Sequence, residues 1–127
     1  SRPYFNGAKF GERTAGVGAI AEMKLDVHPE ADKEIQSAVR YYETQRPGLG
    51  NDFLAELRAH FGIIADDPLT LPKLETAPKR LEIRRILIRR FKYVVVFEVF
   101  DNEILVLAVA HGSRRPNYWL KRRRTKQ

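Results

Sequence analysis

The sequence predicts an α+β fold: one domain in which a short strand and a hairpin of two helices precede a three-strand antiparallel meander, the helices packed on one face of the sheet. Three observations carry this. Apolar residues recur at helical spacing between residues 29 and 64, the period shortens to two from Leu81 onward, and the runs YVVVFEVF and EILVLAVA are separated only by Asp101-Asn102.

The elements follow in order. Residues 1–22 hold half of the glycines and no apolar period, and they stop at Met23, the only methionine. They are set aside as an upstream or appended extension, which leaves 23–127 as the domain with a basic C-terminal tail. In MKLDVH, Leu25 and Val27 alternate with polar neighbours as in a half-buried strand, and Pro29 ends it. Proline at a first helical position, with Glu30 and Asp32 at the positive end of the dipole, predicts a helix over 29–43 with the stripe Ile35, Ala38, Val39 and Tyr42. QRPGLGN breaks it. Asn51 or Gly50 is the expected cap of a second helix whose stripe is Phe53, Leu57, Phe61 and Ile64, and Asp66-Asp67-Pro68 terminates that helix.

Pro68, Pro72 and Pro78 keep the following stretch in a loop. The strand EIRRILIRR then sets Arg84, Ile86 and Ile88 on one face and Ile83, Arg85, Leu87 and Arg89 on the other. Asp101 and Asn102 suit a two-residue turn with positive φ. The last two strands are apolar on both faces and are expected at the centre of the sheet. Helices cover one face, so a further covering, such as a partner, is expected over part of the other.

Composition narrows the class. A chain of 127 residues, 43% apolar and without cysteine, builds one core without disulfides or thiolate metal sites. No run approaches the roughly 20 apolar residues of a membrane span, and residues 1–22 lack a secretory apolar stretch. A cytoplasmic protein with no membrane association is the expectation. The net charge of +7 is unevenly placed: residues 79–92 and 113–127 together carry +13, and the other 98 residues sum to −6. If the two basic segments meet, they form a cationic surface suited to nucleic acid or an acidic protein; otherwise they are a solubilising edge and a frayed tail.

No catalytic constellation is evident. His28, His60 and His111 lack metal-ligand spacing, HGSRR lacks the glycine-framed nucleophile elbow, and no glycine-rich phosphate loop precedes a helix. Neither metal nor cofactor is expected. The candidate recognition residues are Arg84, Arg85, Arg89 and Arg90 on or beside one strand, with Arg114, Arg115, Tyr118 and Trp119 after the last strand. Guanidinium forks bind phosphate and stack on bases, and the two aromatics either add stacking surfaces or fold back as a lid over the sheet.

From Met23 to about Arg123 the chain resembles the RelE/ParE superfamily of toxins from bacterial toxin-antitoxin pairs, specifically the plasmid-stabilisation type. The resemblance rests on the element order and on PEADKEIQSAVRYYE, GLGNDFLAEL, IRRILIRRFKYVVVFEV and VLAVAHGSRRPNYWLKR. It implies a cognate antitoxin in a hetero-oligomer, covering apolar surface and neutralising the basic patch. One branch of the superfamily cleaves ribosome-bound messenger RNA without metal. Against that pattern Arg85 matches one basic position, Leu87 and Val94 stand where others are expected, and Arg114 or Arg115 with Tyr118 or Trp119 would supply the C-terminal arginine and aromatic. Loss of one such electrostatic donor costs about 2.7–4 kcal/mol of barrier. The ParE-like branch, closer in its RRF-x-Y strand, poisons DNA gyrase by binding alone. The expectation is therefore a non-enzymatic toxin acting on gyrase, with the messenger-RNA endonuclease (Arg85, Arg114, Arg115, Tyr118) and a remnant that binds only antitoxin as alternatives.

Overall fold

A computed structural model describes residues 4–5, 23–112 and 114–124. Strands β1 (Lys24–Val27), β2 (Ile83–Ile88), β3 (Tyr93–Phe100) and β4 (Glu103–His111) form one sheet in the order β1-β4-β3-β2. The meander β2-β3-β4 is antiparallel, and β1 lies parallel to β4. Val, Ile and Phe on both sides of β3 and β4 demand burial on both faces, and these two strands occupy the centre as the sequence predicts. Asp101 and Asn102, with φ of 51° and 61°, form the turn between them.

Helices α1 (Pro29–Gln45) and α2 (Leu49–Asp66) pack as a hairpin on one face. His28 caps α1, its Nδ1 accepting from the amide of Glu30 at 3.0 Å. The start of α2 departs from expectation. Gly48, not Asn51 or Gly50, is the N-cap, and its φ of 90° is one that glycine adopts without strain. The capping side chain comes from the other helix. Glu43 accepts from the amides of Gly48 (3.0 Å) and Gly50 (3.1 Å), so its charge meets the positive end of α2 and both later candidates become helical.

That cap draws the helices into close approach. A Cβ on Gly50 would lie 2.9 Å from the backbone oxygen of Val39. Gly50→Ala is therefore expected to destabilise by about 1–3 kcal/mol despite alanine's better helix propensity, measured by urea unfolding; an unchanged midpoint would show that the hairpin can open to admit a methyl group.

Two cores result. The larger, between helices and sheet, gathers Leu25, Ile35, Phe53, Leu57, Phe61, Ile64, Val95, Phe97 and Val106. The smaller lies on the opposite face, where Ile83, Val96, Leu105, Leu107 and Ala108 are covered by Ala77, Leu81 and Trp119. The chain thus covers its own second face with the proline loop and the C-terminal turn, the role the sequence leaves open for a partner. A bulge reconciles the two cores. Val96 faces Ala108 but Phe97 faces Val106, so Leu107 is an extra residue in β4. The insertion puts Leu107 and Ala108 on one face and returns Val109 to the helix side.

The segment set aside from the fold contributes to it. Phe5 is 1% exposed within the larger core. Nothing in the period of residues 1–22 signals that one aromatic.

Candidate functional site

The site develops at the end of β4, where β1 has already stopped. Val27 is the last β1 residue in register, opposite Val106, and the amide of His28 closes the ladder on the Val106 carbonyl at 2.9 Å. Beyond it the edge of β4 would face solvent with unpaired backbone groups, which side chains satisfy instead. Glu34 of α1 accepts from the Val109 amide at 3.0 Å, and Arg122 donates to the Leu107 carbonyl at 3.0 Å. The two are joined to each other at 3.0 Å, both 15% exposed. Tyr118 completes the cluster, its hydroxyl donating to Glu34 at 2.5 Å beneath the guanidinium groups of Arg114 and Arg122, 4.2 and 4.9 Å from the ring centre.

This cluster positions the tail. Asn117, at φ 63°, turns the chain and donates to the Thr76 carbonyl at 2.7 Å, and Trp119 drops into the second core. Arg123 then grips Glu98 with both prongs at 2.9 and 2.8 Å, and Arg124 reaches Glu103 and Asp26. Three of the tail's arginines are consequently neutralised by acids 21 to 88 residues away in sequence. Burial, then the bond to Glu34, pushes the Tyr118 phenol far above its ordinary value, which removes it as a proton donor or acceptor near neutrality.

His28 lies beside this cluster. Burial first and Arg122 second lower its pKa, against the opposing pull of Glu30 and Glu34. The folded chain therefore binds this proton less readily than the unfolded one. The stabilisation is complete above the unfolded value near 6.5 and is lost as pH falls through the lower folded value. The urea midpoint is expected to decline between pH 7.5 and 5.5, and His28→Asn, which supplies an oxygen acceptor in place of Nδ1, should flatten that part of the profile.

The cations left open gather elsewhere. The β2–β3 turn, Arg89 to Lys92, touches the end of β4 through the Gly112 amide on the Lys92 carbonyl at 3.2 Å, beside the Tyr93–His111 pair. Arg89 and Arg115 have no acidic partner among the described residues. Arg90 is half exposed, shared with Asp52 at 3.3 Å. Two clefts flank His111: one of about 450 Å³ lined by Tyr41, Tyr42, Arg90, Phe91, Lys92 and Tyr93, and one of about 350 Å³ lined by α1, Val109, Arg114 and Arg122.

The sequence candidates thus separate. The structure brings Arg89 and Arg90 to the same sheet end as the loop bearing Arg114 and Arg115. It does not bring Arg84 or Arg85 there. Arg84, largely buried, tethers the proline loop through the Leu71 carbonyl and pairs with Glu82 at 2.5 Å; Arg85 sits mid-strand opposite Val96 and faces Glu75 at 3.8 Å. Trp119 is 2% exposed, so it is a lid rather than a stacking surface. Sequence reasoning missed Glu34 and Glu98, which place the tail. Glu34 had no local signal, whereas Glu98 was a lone acid inside an apolar strand. Of the remaining histidines, His60 bonds to the Glu56 carbonyl of its own helix turn at 2.6 Å, and His111 stands edge-on to Tyr93. Among the described residues no three His, Cys, Asp or Glu side chains gather into a metal cluster, and no helix is long and apolar enough to cross a membrane.

No curated protein matches this sequence. Residues 25–116, which span β1 through the turn after β4, match the family model described as ParE toxin of type II toxin-antitoxin system, parDE. With the match covering the sheet, both helices and the connecting loop, the chain belongs to the ParE family of type II toxin-antitoxin toxins.

Proposed function

We propose that this chain inhibits growth by binding DNA gyrase through the cationic end of its sheet, without chemistry of its own, and that a cognate antitoxin forms a hetero-oligomer with it and neutralises it. The observation that carries this reading is the division of charge: Arg122, Arg123 and Arg124 are paired with internal acids, while Arg89, Lys92 and Arg115 remain open at one end. A cleavage site of the endonuclease branch would need its donors around one phosphate at the strand and C-terminal positions that the resemblance names. Here Arg85 lies mid-strand beside Glu75, Leu87 and Val94 are apolar, and the Tyr118 proton is locked on Glu34.

The test is gyrase supercoiling in the presence of purified protein. Inhibition is expected, weakened roughly tenfold by Arg89→Ala combined with Arg115→Ala. Cleavage of ribosome-bound message that disappears with Arg115→Ala would overturn this reading in favour of the endonuclease. Unaffected growth on expression without antitoxin would overturn it in favour of a remnant that binds antitoxin only.

A further inference from the structure

We propose that Leu87 and Val94, with arginines on either side, dock an acidic segment of the target protein, which seats one apolar side chain on them and its carboxylates among the guanidinium groups. This rests on the binding reading above and deepens it by naming the chemistry that the target presents.

The second face of the sheet supplies the apolar floor. Val96 and Ala108, opposite one another in register, are buried in the core that Trp119 closes. Two residues further toward the cationic end the register runs Leu87, Val94, Ala110, and the cover thins. Ala110 is still buried and Val94 half-buried, but Leu87, on the edge strand β2, is 40% exposed. Partners across an antiparallel ladder project on the same side, so the three form one apolar step that ends in solvent.

Cations border Leu87 in both directions along β2. Arg85, two residues before it and on its face, reaches Glu75 only at 3.8 Å, and that carboxylate is 88% exposed. Such a pair is screened and exchanges readily for another acid. Arg89, two residues after Leu87, is exposed. Like Arg115 in the loop at the same sheet end, it has no acidic partner among the described residues.

An apolar contact ringed by unpaired charge is the anatomy of a protein interface, with the leucine desolvated at its centre and the arginines at its rim. Along an extended segment alternate side chains share a face, so an apolar residue with an acid two places to either side matches Arg85, Leu87 and Arg89 in turn. A nucleic-acid strand fits less well. Its phosphates would meet the arginines, but aliphatic Leu87 and Val94 offer neither a hydrogen-bond donor nor a ring to a base, and Trp119 is held in the core.

The test expresses the full chain in cells without antitoxin and, in parallel, titrates purified protein against gyrase supercoiling. Wild type is expected to arrest growth. Leu87→Glu, which places a carboxylate against an acidic partner, should relieve the arrest and weaken gyrase inhibition roughly tenfold, while Leu87→Met, which keeps the apolar contact, retains both. Ile63→Glu, at a position 51% exposed on α2, should also retain both. Circular dichroism establishes that each variant folds; should Leu87→Glu fail to, Leu87→Ala carries the same readouts with a smaller loss. Arrest by folded Leu87→Glu equal to that by wild type rejects the docking point, and so does wild type that leaves growth unaffected. Arrest lost in the double variant Arg89→Ala, Arg115→Ala but kept in Leu87→Glu also rejects it, because charge alone would then suffice, as for a nucleic-acid backbone. The two readouts separate this inference from the choice of target. Relief by Leu87→Glu when wild type leaves supercoiling untouched supports the docking point and rejects gyrase, whereas equal inhibition of supercoiling by both proteins supports gyrase and rejects the docking point.

Discussion

Trp119→Ala is expected to lower unfolding stability by about 3–5 kcal/mol, a drop of roughly 10–20 °C in melting temperature for a chain of this size. Trp119 is 2% exposed and contacts the second core, where Ile83, Val96, Leu105, Leu107 and Ala108 present the back of three strands. Removing the indole leaves a cavity that the small neighbours Ala77 and Ala108 cannot fill. It also releases the turn holding Tyr118 on Glu34 and Arg123 on Glu98. Because this is the only tryptophan, the transition is followed by circular dichroism rather than fluorescence. A frayed tail would give a change within about 0.5 kcal/mol, and that result would mean Trp119 does not close the second face. Trp119→Phe, which retains a ring in the cavity, should recover a good part of the loss.

The same residue shows how far the sequence could be read. The helix hairpin and the meander were legible because their signals are local: the stripe from Phe53 to Ile64, the alternation through Ile83 to Ile88, and the Asp101-Asn102 turn each depend on residues a few places apart. The placement of β1 beside β4 was not, since parallel pairing of residues 79 apart in sequence leaves no periodic trace. Nor was the bulge at Leu107, because a strand apolar on both faces gives no alternation from which a slip could be detected. The charge reading failed in part for a related reason. Arg122, Arg123 and Arg124 look like an open basic run in sequence, and only the fold reveals that Glu34, Glu98 and Glu103 meet them. The end that stays cationic is defined as much by these distant acids as by its own arginines.

Glu34 is where that long-range dependence is concentrated, and Glu34→Ala is expected to cost about 3–5 kcal/mol, measured by urea unfolding at pH 7. The substitution removes the shared acceptor of three donors at once: the Val109 amide on the sheet edge, the Tyr118 hydroxyl, and the Arg122 guanidinium, whose side chain is 15% exposed and keeps only the Leu107 carbonyl. An exposed helix glutamate mutated to alanine would change stability by only a few tenths of a kcal/mol, so the two outcomes are well separated. Glu34→Gln keeps one acceptor oxygen without the charge and should fall between, at about 1–3 kcal/mol. A spectroscopic signature distinguishes loss of this cluster from general loosening. Tyr118 is raised by burial and then by its bond to Glu34, so the native chain holds the phenolic proton more tightly than the unfolded chain does. That contribution is complete below the unfolded value near pH 10 and is lost as pH rises beyond it. In Glu34→Ala the second cause is gone, so ultraviolet titration should show Tyr118 ionising at lower pH than in wild type, and the alkaline loss of stability should shrink. Unchanged phenol titration in a folded variant would mean that burial alone holds the proton, and that the cluster does not anchor the turn from which Arg114 and Arg115 are displayed.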